Sequence, residues 1–214
     1  MTDQGDSKST TTEEEEYPLS ARLSSGWNGS GYPHRHYTAL RREYDKTGVP
    51  WLYWDEPALT SLLVASKKLT EGDCLLVLIG PRGTGKTQAA VEMAMKLDGY
   101  MLGAGKELSH MYAPLGELLN REKASWSDPT LHSPLAKAKS AGLLVLDEIQ
   151  ESSASEWERQ TLTLLIDERY RNMKRTILIG NLKTGGLEKF FSKSISSRIK
   201  ETGTIIEMAG KRYR

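Results

Sequence analysis

Gly80-Pro81-Arg82-Gly83-Thr84-Gly85-Lys86-Thr87 constrains this chain more than any other stretch. It satisfies the pattern G-x-x-x-x-G-K-[ST] at every fixed position. It also lies between a short apolar run, Cys74–Ile79, and a helix-forming pattern, Lys86–Leu97. A buried strand, a glycine-rich turn and a helix, in that order, make a phosphate cradle. Glycines let consecutive backbone N–H groups turn inward around a polyphosphate. The start of the following helix adds its positive dipole end. Lys86 is placed to bridge the outer phosphates, and the Thr87 hydroxyl is a ligand for Mg²⁺.

The chain has 214 residues, enough for one sizeable domain with its own core plus a tail. Its 38% hydrophobic and 27% charged content is that of a soluble globular protein. No apolar stretch has the length of a membrane span, and the N-terminus has no apolar signal core. A single cysteine, Cys74, rules out an internal disulfide and any Cys-cluster zinc site. Its position in an apolar strand reads as core packing, and a reducing cytoplasm is the simplest compartment. Charge is uneven. Residues 1–16 hold six acids and one base, a net of −5, so the remainder carries +6 of the overall +1. That body suits a polyanionic partner as well as it suits an ordinary solvated surface.

Along the chain, residues 1–16 read as a disordered acidic tail. Residues 17–50 read as a mostly irregular segment with one short helical piece around Thr38–Asp45, and 51–214 as the folded domain. Trp51, Trp54 and Ala58–Leu69 suggest a helix leading into the first strand. Strands and helices then alternate, which predicts a parallel sheet covered by helices. The strands are Cys74–Ile79, Gly142–Leu146, Thr176–Ile179 and Thr204–Met208. A further one falls at Gly99–Leu102 or Leu108–Ala113. Helices are expected at Pro114–Arg121, Pro134–Ser140, Ser155–Met173, Gly186–Phe191 and Ser194–Lys200. In the long one, Leu162, Leu165, Ile166, Tyr170 and Met173 fall near one face.

Leu143-Leu144-Val145-Leu146-Asp147-Glu148 has the form of a Walker B segment. An acid ending a buried strand beside the P-loop strand holds Mg²⁺, usually through water. The adjacent Glu148 is placed to polarise an attacking water as general base. Asn181, after Thr176–Gly180, is a candidate sensor, because its amide both donates to phosphate and accepts from water. The same residue also suits a left-handed turn after Gly180. Arg198, in Ser196-Ser197-Arg198, is a candidate arginine finger for a neighbour's nucleotide. The His34/His36 pair has no further nearby ligands and reads as solvated rather than metal-binding.

Taken together, Walker A, Walker B, Asn181 and Arg198 resemble an AAA+ ATPase. The narrower resemblance is to the bacterial and phage replicative helicase loaders (DnaC-like), with the IstB transposition helper ATPases as close relatives. It rests on Leu164-Leu165-Ile166-Asp167-Glu168-Arg169-Tyr170-Arg171, Thr176-Ile177-Leu178-Ile179-Gly180-Asn181-Leu182, Ser197-Arg198-Ile199 and Gly210-Lys211-Arg212-Tyr213-Arg214. The family has an Ile-[Asp/Asn]-x-Arg-Tyr helix, a Ser/Thr-Asn-Leu strand end, a Ser-Arg-Leu-like arginine and a closing Gly-x-Ser-Tyr-Arg in the same order. The resemblance covers about residues 50–214 and implies a five-stranded parallel AAA+ core with ATP and Mg²⁺ bound. It also implies ATP hydrolysis, head-to-tail homo-oligomers in which Arg198 acts in trans, and no C-terminal helical lid. It implies a replicative helicase and single-stranded DNA as partners, with Lys123, Trp126 and Trp157 falling near the family's DNA-facing positions. Those two tryptophans read equally as packing residues. The cluster Arg169, Arg171, Lys174 and Arg175 reads as an intersubunit face, a solvated face or a DNA track. Tyr32-Pro33-His34-Arg35 resembles the linker that joins the loaders' helicase-gripping module to the core, and the cysteines of that module are absent here.

Two other readings stay open. One is an IstB-like transposase helper acting on duplex DNA. The other is a nucleotide-gated adaptor with little turnover, using Lys86, Thr87 and Asp147 for binding alone.

Overall fold

The computed structural model describes residues 30–47, 56–72, 74–128, 130–151, 155–183 and 191–208. The acidic segment 1–16, Trp51 and Trp54, nearly all of the Gly186–Phe191 stretch and the closing Gly210–Arg214 motif lie outside the described residues. The elements are α1 (His34–Thr47), α2 (Glu56–Glu71), β1 (Leu75–Ile79), α3 (Lys86–Gly103), β2 (His110–Pro114) and α4 (Leu115–Ser125). They continue with α5 (Pro134–Ser140), β3 (Leu143–Asp147), a 3₁₀ turn (Ile149–Glu151), α6 (Glu156–Arg171), β4 (Arg175–Gly180), α7 (Lys193–Thr202) and β5 (Gly203–Glu207).

The five strands form one parallel sheet in the order β2-β3-β4-β1-β5. Burial on both faces explains why β1 and β3 are continuous apolar runs rather than alternating ones. The alternation of strand side chains still divides the core in two. Leu76 and Leu78 pack with Leu62 and Leu69 of α2 and Ala90, Met93 and Leu97 of α3. Leu75, Val77 and Ile79 point the other way, toward Leu118 of α4, Leu162 and Leu165 of α6, and Ile195 of α7. Cys74 is buried, as expected of a packing residue.

Of the two stretches proposed for the second strand, His110–Pro114 forms it and Gly99–Leu102 belongs to α3. Side-chain caps mark several helix starts. Ser133, Ser155 and Ser192 each accept from a backbone N–H three residues on, and Pro134 opens α5. The helix in the N-terminal segment is longer than the Thr38–Asp45 piece expected. It runs for 14 residues and buries Leu40 against Val91 and Met95 of α3. Met173 lies beyond α6 and is 63% exposed, so it does not share the buried face of Leu162, Leu165 and Ile166.

The cations at 169–175 do not form a face. Arg169 is wholly buried and donates to the carbonyls of Ala138, Lys139 and Ala141 at the end of α5. Lys174 donates to Lys139 and Ser140 at the same helix end. Arg175 donates to Leu69 and Thr70 at the end of α2. A helix terminus leaves carbonyls without intrahelical donors, and its negative dipole end attracts cations. That local need explains three of the four cations, while Arg171 is exposed and donates to the Asp167 carbonyl of its own helix.

Candidate nucleotide-binding site

Parallel strands bring their carboxyl ends to one edge, where open α/β sheets bind ligands. Gly80 follows β1 there, Asp147 ends β3 and Asn181 follows β4. Gly80 has φ +137, and a Cβ on it would run into the backbone carbonyl of Met208, so glycine is required as the chain leaves β1. Gly83 and Gly85 are at φ +84 and +86, the left-handed turns that aim backbone N–H groups into a cradle.

The cleft above this edge has a volume of about 610 Å³. It is lined by Gly83, Gly85, Lys86 and Thr87 of the loop, by Asp147 and Glu148, and by Asn181. Arg82 also lines it, while Gly80, Pro81 and Thr84 shape the loop behind. Thr84 Oγ1 donates to the Pro81 carbonyl at 3.0 Å, closing the turn on itself. Lys86 Nζ donates to the carbonyls of Gly80 (2.9 Å) and Pro81 (2.7 Å). Burial holds its pKa below the usual lysine value, with Asp147 offsetting part of that effect.

Thr87 Oγ1 donates to Asp147 Oδ2 at 2.7 Å, although the two residues are 60 apart in sequence. These two oxygens are hard ligands of the kind Mg²⁺ takes, and Thr87 and Asp147 would hold that ion. Among the described residues, no group of three or more His, Cys, Asp or Glu side chains could hold a metal. A cation shared with a triphosphate needs no such group. Glu148 is exposed in the cleft and has φ +53, a left-handed conformation costing a non-glycine residue roughly 1–2 kcal/mol. Its N–H donates to Asp147 Oδ1 at 2.7 Å, which holds it there. Strain of this kind concentrates at functional sites. The Asn181 N–H donates to Gln150 Oε1 at 2.8 Å, which fixes the strand end beside the Walker B turn.

Arg198 is not in this cleft. It lies on α7, 22% exposed, with its guanidinium 3.1 Å from Asp167 and 5.1 Å over the Tyr170 ring. Its Nη1 donates to Ser194 Oγ at 2.6 Å. Lys123, Trp126 and Trp157 do come together. Lys123 Nζ lies 4.7 Å over the Trp157 ring and pairs with Glu158 at 3.1 Å. Trp126 is 62% exposed and meets Trp157 edge to face at 5.2 Å, while Trp157 packs partly on the core.

Four residues of the cleft were not anticipated from the sequence. Tyr112 of β2 donates its hydroxyl to Asp147 Oδ2 at 2.8 Å. Burial, then the charge of Asp147, pushes its pKa well above the usual tyrosine value. Gln88, one residue beyond the P-loop motif, lines the cleft, as does Arg35 of α1. His36 lines it too and is half-buried against Gln88, not solvated as its spacing suggested. Only the position of Tyr112 near the end of a strand paired in register with β3 could have signalled its role.

A family model described as IstB-like ATP-binding protein matches residues 55–214. The IS21 insertion-sequence ATP-binding protein of Pseudomonas aeruginosa is 23% identical over 211 residues, covering 92% of this chain and 75% of that protein. The replicative helicase loader DnaC of Buchnera aphidicola (from Acyrthosiphon pisum) is 23% identical over 177 residues, covering 75% of this chain and 70% of the loader. The crystal structure of a DnaC helicase loader superposes with a TM-score of 0.62 at 22% identity, covering 82% of this chain and 99% of that one. At that identity the likeness is one of fold, the P-loop AAA+ core.

Proposed function

The chain belongs to the family of IstB-like ATP-binding proteins, and from that premise we propose that it is a Mg²⁺-dependent ATPase of the DnaC-like helicase-loader type. One observation carries the reading. Lys86, Thr87, Asp147, Glu148 and Asn181 converge on one cleft, while Arg198 stands outside it on α7. A loader works in DNA replication, in the cytoplasm, with a replicative helicase and single-stranded DNA as its partners.

Residues 80–87 wrap the α- and β-phosphates with backbone N–H groups, and Lys86 exchanges its carbonyl acceptors for phosphate oxygens. Thr87 and Asp147 would hold Mg²⁺, which when bound neutralises phosphate charge. Glu148 accepts a proton from water as the water oxygen bonds to the γ-phosphorus and the bond to the ADP oxygen breaks. Asn181 orients that water or a γ-phosphate oxygen. Arg198 supplies positive charge to the site of the next subunit in a head-to-tail oligomer. Asp167, Tyr170 and Ser194 hold it half-buried on α7, outside its own cleft.

The test is a mixing experiment. Glu148→Gln should bind ATP and hydrolyse it at least about a hundredfold more slowly. Lys86→Ala and Arg198→Ala should each be inactive alone. Mixed, they should regain part of the turnover, because Lys86→Ala subunits lend Arg198 to intact clefts. No recovery, with both variants folded, would reject the trans role.

A second reading, a transposase helper acting on duplex DNA, is favoured by the similarity to the IS21 protein across most of the chain. Stimulation of turnover by duplex rather than single-stranded DNA would select it. A nucleotide-gated adaptor would instead bind ATP tightly and show no turnover with either.

A further inference from the structure

Helix α1 begins against its own electrostatics. Its first turn reads His34-Arg35-His36 with no acid, although the positive end of a helix dipole disfavours cations. The placement becomes favourable if an anion binds there, and this turn borders the phosphate cleft.

Arg35 is held by a chain of polar contacts. Its Nε donates to His36 Nε2 at 3.2 Å. That fixes the ring's proton on Nδ1, which donates to Gln88 Oε1 at 2.8 Å. Gln88 Nε2 donates in turn to the His36 carbonyl at 3.4 Å and to Glu92 Oε1 at 3.3 Å. Burial holds His36 below the usual histidine pKa, and the Arg35 charge adds to this, while the hydrogen bond to Gln88 opposes it. The helix itself is anchored. Leu40 packs on α3, and the Tyr112 N–H donates to the Ser30 carbonyl at 2.6 Å. Gly31, at φ +87, lies directly over the Tyr112 carbonyl, where a Cβ would not fit. The two Nη groups of Arg35 hydrogen-bond to no other described residue, and the guanidinium is exposed on the cleft wall.

Tyr112, Asp147 and Glu148 line the same cleft, and the Arg35 charge acts on Tyr112. We propose that Arg35 is a cis-acting γ-phosphate ligand, a planar fork contributed by the helix ahead of the core and positioned through His36 and Gln88. Two parallel N–H donors match a terminal phosphoryl group. This rests on the reading of the cleft as an ATP site. Its consequence is that ATP and ADP are told apart in part by α1, so the segment leading into the core senses the nucleotide.

The experiment measures the affinity of the whole chain for fluorescent Mg-ATP and Mg-ADP analogues. The proteins are wild type, Arg35→Ala, Arg35→Lys, His36→Ala and Lys86→Ala. Arg35→Ala should weaken ATP by about tenfold or more while leaving ADP within about twofold. Arg35→Lys should retain part of the preference, and His36→Ala should lower it without removing charge. Arg35 is exposed, so its variants should melt with wild type, which circular dichroism checks. If wild type binds ATP and Arg35→Ala leaves the ATP-to-ADP ratio within twofold, or weakens both equally, the γ-phosphate role is overturned and the ATPase reading stands. If wild type binds neither nucleotide, or Lys86→Ala binds as well as wild type, the reading of the cleft itself falls.

Discussion

Replacing Arg169 by methionine should cost more stability than any change of comparable size on the surface. The side chain is 0% exposed and, among the described residues, pairs with no carboxylate. Its Nε donates to Thr176 Oγ1 at 2.9 Å, and its Nη1 to the carbonyls of Ala138 at 2.6 Å and Ala141 at 2.7 Å. Nη2 donates to the Arg175 carbonyl. Methionine fills much of the space and donates nothing. Three well-placed carbonyls left without that donor cost roughly 1–3 kcal/mol each, so roughly 3–9 kcal/mol in all. Removing the buried charge gives some of this back. Burial lowers the pKa of Arg169 from the usual arginine value to about 10. That is worth an offset of about 3 kcal/mol. The net loss is then about 3 kcal/mol near the middle of the range. For a chain of this size that is a fall of about 6–12 °C in Tm. Thermal and urea unfolding followed by circular dichroism would measure it, with the urea slope unchanged. Below about pH 10 the guanidinium is charged in both folded and unfolded states. The difference between variant and wild type should therefore not vary between about pH 6 and 9. A fall of less than about 2 °C would mean that water or neighbouring donors replace the guanidinium, and the bridging role would be wrong.

Two other changes probe the cleft and the aromatic cluster. Tyr112→Phe removes one of the two hydroxyl donors to Asp147 Oδ2, so the carboxylate is less firmly set for the cation. The Mg²⁺ concentration for half-maximal turnover should rise by about three- to tenfold, the range for an ordinary intramolecular hydrogen bond, and a magnesium titration reading within twofold of wild type would reject that role. Trp126→Ala should weaken a labelled oligo-dT strand by about fivefold or more in fluorescence anisotropy while leaving DNA-free turnover unchanged. Equal affinity would assign the exposed indole to some other contact.

The order of elements and the positions of the strand-end residues were legible because both are local. A P-loop binds through its own backbone, and the apolar runs of β1 and β3 announce strands buried on both faces. Asp147 and Asn181 could be placed because parallel strands deliver their ends to one edge. The contribution of α1 was not legible. Arg35, His36 and Gln88 meet across 52 residues through a tertiary contact, and the glycines and prolines around them read as irregular chain. Tyr112 was hidden for a similar reason, since a tyrosine near a strand end reads first as packing. The stretch Gly99–Leu102 was ambiguous because four residues cannot separate a strand from the last turn of a long helix.

Helix α6 shows how one motif serves two purposes by geometry alone. Leu162, Leu165, Ile166 and Arg169 follow an i, i+3, i+4, i+7 spacing and face inward. Arg169 therefore lands where the carbonyls at the end of α5 and the start of β4 need donors. Thr163, Asp167 and Tyr170 form the neighbouring stripe and face α7, meeting Ser192, Ser194 and Arg198. Adjacent members of the Ile-Asp-Glu-Arg-Tyr run thus point about 100° apart. One arginine ties the helix into the body of the domain, and the acid two residues earlier holds the other, half-buried arginine on α7. A sequence-level cluster of positive charge merges these roles, and the helical period separates them. If Arg198 completes a neighbour's site, its position is set by α6, and α6 is set by Arg169. The stability of Arg169→Met and the subunit mixing of Arg198→Ala therefore probe the two ends of one mechanical link.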